Sequence, residues 1–275
     1  MTKLRIGTWT SQLARIQTQM VVDALQIPVQ IVPIVSKGDQ IQDRCLASIG
    51  GKGLFVSVFE QAIQKDQIDI AVHSGKDMPS QITDGFYVPA VLARANPADL
   101  LISKTKIWPG ATIDTSSPRR AQLYTRIDPT CQIKMIRGNV ETRLRKLEEG
   151  DYDGIILAQA GLERLHIDLH AYVVQVLDIL PATAQGIIAI ETKTGFILPK
   201  NIDDKKTHIL FDTGRQLMAL MHADCHDAAS AHAQWIDDDT LQIQAFYQDS
   251  PIFMCQTKLD QIDACIQEMA GALYG

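Results

Sequence analysis

Short apolar runs alternate with amphipathic helical patterns from residue 4 to residue 161, and this alternation restricts the fold more than any other feature of the chain. Residues 4–8, for example, read as a buried strand, and residues 11–25 follow with the periodicity of a helix. Strands that alternate with helices indicate βαβ units. We therefore predict an α/β protein with parallel sheets.

The pattern changes at about residue 204. A predicted helix over residues 206–221 leads into a polar loop, two apolar segments joined by an Asp-Asp-Asp turn, and a closing helix over residues 259–273. Neighbouring strands joined by short turns favour a small antiparallel sheet covered by helices on one face. We expect three domains, the first two α/β and the third α+β, formed by residues 1–93 with 186–203, residues 94–185, and residues 204–275.

Composition limits the classes of partner. Of the 275 residues, 46% are hydrophobic and 21% charged, which is typical of a soluble globular protein. A net charge of −6 disfavours nucleic acid and anionic membranes as partners. The N-terminal segment lacks the apolar core of a signal peptide, and no run is long enough to cross a bilayer. The five dispersed cysteines indicate neither a disulfide framework nor a zinc site, so we expect a cytoplasmic protein without metal.

Arginines occur where a helix is least suited to them. In "DTSSPRRAQL", Ser117 and Pro118 predict a helix start, which places Arg119 and Arg120 in the first turn. The helix dipole disfavours cations at that position. In "IRGNVETRLRKL", two further arginines, Arg137 and Arg143, flank a second predicted helix start at Asn139.

These two turns predict an anion site, because backbone N–H groups and guanidinium forks converge where a strand leads into a helix. The alternative is that the arginines pair with acidic residues on neighbouring elements. Arginine matches planar carboxylates through two hydrogen bonds, and the chain has no GxxxxGK[ST] phosphate loop. A ligand with several carboxylates therefore fits better than a nucleotide.

A lysine–aspartate pair follows another predicted strand. "IDIAVHSGKDMPS" places Lys76 and Asp77 just beyond the carboxyl end of a buried segment, where open α/β sheets bind ligands. An ionised aspartate in a cleft can move a proton or hold a cationic intermediate. A surface ion pair in a polar turn is the alternative. Before this pair in the sequence, Gly50, Gly51 and Gly53 surround Lys52 and suggest either a mobile lid or a plain loop.

The chain resembles the porphobilinogen deaminase (hydroxymethylbilane synthase) family in several long segments that occur in family order over almost its whole length. These segments are "LRIGTWTSQLA", "GDQIQDRCLASIGGKGLF", "DIAVHSGKDMP", "DTSSPRRAQL", "IRGNVETRLRKLEEGDYDGIILAQAGLERL" and "LPATAQGIIAIE". The resemblance implies two domains like the halves of periplasmic binding proteins, facing each other across a cleft, and a third that carries a cysteine. It further implies a monomeric transferase of tetrapyrrole (haem) biosynthesis. Such an enzyme condenses four porphobilinogen molecules on a dipyrromethane cofactor, releases ammonia each time and hydrolyses off 1-hydroxymethylbilane.

The resemblance also implies roles for individual residues. Asp77, with Lys76, matches the catalytic position, where the aspartate would stabilise pyrrole N–H groups and azafulvene cations. Cys225 matches the cysteine that bears dipyrromethane through a thioether. The remaining cofactor-binding matches are Ser11, Lys76, Asp77, Thr115, Ser116, Ser117, Arg119, Arg120, Arg137, Gly138, Arg143 and the hinge residue Gln185. The substrate-binding matches are Arg137, Arg143, Arg164 and Lys52, the last in the lid.

Two positions depart from the family pattern. Trp9 stands where the family has an arginine that binds carboxylates, and its indole could instead stack on a pyrrole ring or an arginine. Around Cys225 the family reads Gly-Gly-Cys, whereas this chain reads Ala223-Asp224-Cys225. We assign Cys225 because Cys255 falls in a predicted strand and Cys265 on the last helix.

Three other functions remain possible on these residues. A relative that binds polycarboxylate pyrroles without turnover is the first, since Trp9 removes one cation and Asp224 adds an acid. A secreted solute-binding protein with the same cleft is the second, and the absent signal peptide argues against it. A metal enzyme built on His222, Cys225 and His226 is the third, although their spacing matches no ligand pattern.

Overall fold

A computed structural model describes residues 3–34, 54–135, 138–224 and 226–274. It confirms the predicted fold class, because it contains two five-stranded sheets with helices packed beside them and a smaller, three-stranded antiparallel sheet. Each sheet has its own hydrophobic core. The domain boundaries predicted above remain a proposal.

The first sheet has the strand order β2-β1-β3-β10-β4. Strand β1 pairs in parallel with β2 and β3, as the βαβ pattern predicts, whereas β10 runs antiparallel to both β3 and β4. The sheet is therefore mixed rather than parallel, because β10 enters it as the chain returns from the second sheet. Its elements are β1 (Leu4–Trp9), α1 (Gln12–Leu25), β2 (Val29–Ile34), α2 (Leu54–Gln64), β3 (Ile70–Ser74), β4 (Phe86–Val91) and β10 (Ile188–Lys193).

The second sheet has the same design, with the order β7-β6-β8-β5-β9. Strand β6 is parallel to β7 and β8, and β5 is antiparallel to β8 and β9. Its elements are β5 (Asp99–Ser103), β6 (Thr112–Asp114), α3 (Pro118–Ile127), β7 (Gln132–Lys134), α4 (Val140–Glu149), β8 (Gly154–Ala158), α5 (Gln159–Arg164) and β9 (Val173–Leu177).

The third sheet is the predicted antiparallel one, with β12 between β11 and β13. Buried side chains of α6 and α7 form one core with the small apolar residues of β11 and β12. Its elements are α6 (Lys205–Leu220), β11 (Ala229–Trp235), β12 (Thr240–Tyr247), β13 (Phe253–Lys258) and α7 (Ile262–Tyr274).

Two chain segments, residues 92–98 and 181–187, connect the first two sheets and run side by side. The amide of Ala95 donates to the carbonyl of Gly186 at 3.1 Å. Gly186 has φ +85°, and a Cβ there would lie 2.4 Å from the Ala95 oxygen, so only glycine allows this close approach. The crossing therefore fixes how the two sheets face each other.

Candidate functional site

A cavity of about 470 Å³ lies where the carboxyl ends of β1, β3, β6 and β8 meet, at the edge where open α/β sheets bind ligands. The first and second sheets provide opposite walls, and α6 with the following loop provides a third. Predicted site residues that line it are Ser11, Lys76, Asp77, Ser116, Ser117, Arg119, Arg120, Gly138, Arg143 and Gln185.

On one wall, residues Gly75–Asp77 form a single 3₁₀ turn directly after β3. The Gly75 amide donates to the carbonyl of Ile187 at 2.9 Å, and Met78 after the turn is extended and buried. Asp77 is exposed, and its carboxylate makes no hydrogen bond or ion pair with any residue that the structure describes. It is therefore available to a ligand.

The lysine of the same turn faces the arginines of the opposite wall. Burial lowers the pKa of Lys76, and the nearby charges of Arg120 and Arg119 lower it further, while Asp77 and Asp99 act in the opposite direction. The Lys76 amine therefore lies close enough to Arg119 and Arg120 to form one cluster of basic side chains with them across the cleft. A bound anion would stabilise its protonated form.

On the opposite wall, Arg119 and Arg120 are 3% and 7% exposed and share one carboxylate, that of Asp99 at the start of β5. Arg119 Nη2 donates to Asp99 Oδ2 at 2.7 Å, and Arg120 donates to Oδ1 from Nη2 at 2.7 Å and from Nε at 3.1 Å. Burial alone would raise the pKa of Asp99, but the charges and hydrogen bonds of the two arginines hold it well below its usual range.

This geometry combines the two sequence hypotheses. Arg119 and Arg120 do pair with an acidic residue on a neighbouring strand, and both also line the cavity. Asp99 and Asp77 supply two negative charges against the three positive charges of Arg119, Arg120 and protonated Lys76, so positive charge remains for an anionic ligand. The sequence pattern did not identify Asp99; an acid that opens the apolar strand "DLLIS" is the signal that could have found it.

The start of α4 adds a third arginine. Arg143 Nη2 donates to Ser116 Oγ at 2.9 Å and Arg143 Nε to the carbonyl of Gly138 at 3.0 Å. Gly138 has φ +121°, and a Cβ there would lie 2.6 Å from Thr142 Cγ2. Both predicted helix caps are confirmed: Asn139 Oδ1 accepts from the Thr142 amide and Ser117 Oγ from the Arg120 amide. Two helix N-termini thus point at the cavity.

Gln185, in the segment 181–187, contacts the wall of the cavity that carries Arg119 and Arg120, which we call the arginine wall. It is 1% exposed, and its Nε2 donates to Asp99 Oδ1 at 2.9 Å and to the Pro97 carbonyl at 2.6 Å. Gln185 Oε1 and Arg119 Nε are buried without a hydrogen-bond partner among the described residues. Each of these two cavity-lining residues therefore keeps one hydrogen-bonding atom that no described residue uses.

Other predicted site residues lie apart from this surface or outside the described residues. Thr115 is buried beneath it, where its Oγ1 accepts from the Ser117 amide. Arg164 Nη2 donates to the Gly186 carbonyl at 2.6 Å, so in this structure Arg164 binds the hinge. Lys52, Arg137 and Cys225 lie outside the described residues, and their roles stay predictions.

Trp9 packs against an aromatic side chain of α2. Its ring lies edge-on to Phe59 with centroids 4.6 Å apart, in the cluster beside α2. Within the described part of the chain, Trp9 is not among the cavity residues. The stacking of its indole on a pyrrole ring or an arginine stays a prediction.

The third domain contributes contacts that the sequence did not reveal. Arg94 of the crossing segment donates to the Ala233 carbonyl and to His232 Nδ1, both at 2.9 Å. Arg215 of α6 donates to the Pro79 carbonyl, and Asp224 accepts from Ser80. Nothing in the local sequence marks these contacts, because each joins residues that are far apart in the chain. The four side chains are those of Arg94, Arg215, Asp224 and His232.

Within the described ranges, every helix is too short or too polar to span a bilayer. Among the same residues, no three His, Cys, Asp or Glu side chains lie close enough to hold a metal ion.

Comparison with known proteins places the chain beside one family. Residues 4–196 match the family model described as porphobilinogen deaminase, dipyromethane cofactor binding domain. Porphobilinogen deaminase of Xanthomonas axonopodis pv. citri is 40% identical over 256 residues, which cover 87% of this chain and 84% of that protein. The Rickettsia prowazekii protein of the same name is 37% identical, with coverage of 87% and 86%.

Solved structures overlap the chain only loosely. An arginine-transport periplasmic binding protein from Legionella pneumophila superposes with a TM-score of 0.40 at 13% identity, covering 70% of this chain and 87% of that one. This overlap is too low to support an argument about function.

Proposed function

The chain belongs to the porphobilinogen deaminase family, whose matched domain binds a dipyrromethane cofactor, and we propose on that premise that it is an active hydroxymethylbilane synthase. In this proposal it condenses four porphobilinogen molecules head to tail, releases one ammonia at each addition and hydrolyses the product to 1-hydroxymethylbilane. The observation that carries the proposal is the exposed Asp77 facing an arginine wall across one cavity.

The cationic groups fit the proposed ligands. Each pyrrole unit carries two carboxylates, and Arg119, Arg120, Arg143 and Lys76 present guanidinium and ammonium groups to the same cavity. When bound, dipyrromethane supplies the pyrrole carbon to which the first substrate is joined. The arginines would hold its carboxylates, with Ser11, Ser116 and Ser117 donating further hydrogen bonds.

Asp77 would act on the substrate. Its carboxylate, which has no partner among the described residues, can accept a hydrogen bond from the pyrrole N–H of porphobilinogen and stabilise the positive charge that develops as ammonia leaves. The same Oδ atoms can take the proton released from the pyrrole carbon that forms the new bond. Lys76 beside it would bind a substrate carboxylate.

Cys225 would carry the cofactor, and Lys52, Arg137 and Arg164 would add contacts to the growing chain. These four assignments rest on the match to the family motifs. Gln185 would accept from a pyrrole N–H through the buried Oε1 that lacks a partner among the described residues.

Intact-protein mass spectrometry tests the proposal. The purified chain should carry an adduct of two pyrrole units, or acquire one on incubation with porphobilinogen, and it should then release ammonia and hydroxymethylbilane. A chain that never gains the adduct and never turns porphobilinogen over would disprove the activity. Binding without turnover would instead identify a non-catalytic relative.

Two cysteine variants identify the point of attachment. Cys225→Ser should abolish the adduct, whereas Cys255→Ser, on β13, should retain it. An adduct that persists in Cys225→Ser would show that another cysteine bears the cofactor.

A further inference from the structure

The residue before Cys225 contacts the segment that follows Asp77. Asp224 Oδ1 accepts from the Ser80 backbone amide at 3.3 Å and from Ser80 Oγ at 3.4 Å. Asp224 is 8% exposed. Both residues line the main cavity and a smaller one of about 270 Å³ beside it, so their contact separates the two.

A second side chain of the third domain holds the same segment. Arg215 of α6 donates to the Pro79 carbonyl from Nη2 at 2.8 Å and from Nε at 3.2 Å, and to the Ser80 carbonyl at 3.3 Å. Since Asp224 binds the amide and Arg215 the carbonyls, residues 79–80 are held on both sides of their peptide groups. Met78 just before them packs with Phe211 of α6.

The loop itself is anchored on the side of Asp224. Ala223 is fully buried in the core of the third domain, where its amide donates to the Met218 carbonyl at 3.0 Å. The Asp224 amide donates to Asp227 Oδ2 at 2.7 Å, and the Asp227 amide returns to the Asp224 carbonyl at 3.0 Å. The carboxylate of Asp224 is thus directed to Ser80 by a backbone that is fixed on both sides.

We propose that Asp224 is a positioning residue, which fixes the cysteine-bearing loop against the Asp77 turn; this rests on the proposed function. In the sequence Asp224 precedes Cys225 by one residue and Ser80 follows Asp77 by three, so the contact of Asp224 with Ser80 joins residues adjacent to the two predicted functional positions. An acid beside a polycarboxylate cofactor would otherwise repel it. Here the Asp224 carboxylate accepts hydrogen bonds from the Ser80 amide and hydroxyl, which hold the loop in place.

Hydrogen–deuterium exchange on the full chain measures the contact between Asp224 and the Ser80 amide, and it does not require an active enzyme. Asp224→Ala should speed exchange of the Ser80 amide about tenfold, because a hydrogen bond to an ionised acceptor is lost. Asp224→Asn, which keeps an acceptor oxygen, should stay within about threefold of the parent chain. The control Asp238→Ala removes a charge from an exposed turn of the same domain and should change nothing there.

Rates of adduct acquisition and porphobilinogen consumption test whether Asp224 acts as a positioning residue. Asp224→Ala should slow both adduct acquisition and porphobilinogen consumption about tenfold at an unchanged melting temperature, and Asp224→Asn should restore most of both rates. Parental exchange and rates in Asp224→Ala would overturn the proposal, as would Asp224→Asn behaving like Asp224→Ala. Faster exchange with parental rates would also overturn it, leaving only a structural contact.

A parent chain that consumes no porphobilinogen would refute the proposed function, while the exchange experiment would still decide whether Asp224 fixes the loop. If Asp224→Ala does not fold, Ser80→Ala provides a milder variant. It removes the hydroxyl donor and keeps the amide, so the adduct should form about threefold more slowly. An unchanged rate of adduct formation in Ser80→Ala would then count against the proposal.

Discussion

Two aspartates, one that lines the cavity and one buried behind its arginines, have opposite environments. Asp99 is fully buried and bonded to Arg119, Arg120 and Gln185. Asp77 is exposed and makes no hydrogen bond within the described part of the chain. The charge on Asp99 is used by the protein, and the charge on Asp77 is available to a ligand.

The difference separates positioning from chemistry. A buried carboxylate with two guanidinium groups is costly to disturb, because removing one charge leaves the others uncompensated. It therefore fixes the arginines in one geometry before any ligand arrives. An exposed carboxylate at the end of a strand contributes little to folding, so it can be changed without loss of structure.

Replacing Asp77 should give the largest effect, and that effect should be on activity alone. Asp77→Ala removes the group that stabilises the developing cation, so porphobilinogen consumption should fall about 10³-fold. The free energy of unfolding should stay within about 0.5 kcal/mol of the parent chain, since the side chain is exposed. Steady-state assay and urea denaturation measure the two quantities.

Asp84→Ala is the control, because Asp84 is also exposed and lies in the turn before β4. It should leave both quantities unchanged. A normal rate in Asp77→Ala would remove Asp77 from the mechanism, and a large loss of stability would show that the two aspartates are alike.

Replacing Asp99 should have the reverse signature. Asp99→Asn leaves Arg119 and Arg120 buried with one neutral oxygen between them, so the free energy of unfolding should fall by about 3–5 kcal/mol. Asp151→Asn is an exposed control in the same domain. Urea denaturation measures the loss, and a change below about 1 kcal/mol would show that the arginines do not depend on this carboxylate.

The sequence anticipated Asp77 but not Asp99, and the reason is physical. Periodicity and helix caps depend on neighbours in the chain, so α1, α3 and α4 and the caps Ser11, Ser117 and Asn139 could be predicted. The pairing of Arg119 with Asp99 depends on contacts between distant elements. The antiparallel entry of β10 and β5 has the same origin, because local pattern does not report the direction of a returning strand.

Acid titration should separate Asp99 from another buried group. Burial, with the charges of Arg94 and Arg119, lowers the pKa of His232 to about 3. A histidine that is neutral in the folded state stabilises it fully above its unfolded pKa, about 6.5, and this stability is lost as the pH falls toward 3. Asp99, whose pKa is lowered from 3.8, gives no pH dependence above about pH 5.

The free energy of unfolding should therefore decrease by about 2 kcal/mol between pH 7 and pH 5 because of His232. His232→Gln keeps an acceptor for Arg94 and should remove that part of the decrease, which urea denaturation at both pH values would measure. Equal pH dependence in the two chains would show that His232 is not held neutral. A shallower decrease in Asp99→Asn than in the parent would place the titration at Asp99 instead.

The smallest effect concerns what holds Asp99 in place. Gln185→Leu removes one amide donor from Asp99 Oδ1 and leaves both arginines, so the free energy of unfolding should fall by about 1–2 kcal/mol. Urea denaturation of Gln185→Leu and Asp99→Asn under the same conditions compares the two losses of unfolding free energy. A loss as large as that of Asp99→Asn would mean that the hinge amide, rather than the ion pairs, fixes the carboxylate. The arginine wall would then depend on the crossing of the two domains, because Gln185 also binds the Pro97 carbonyl in the other connecting segment.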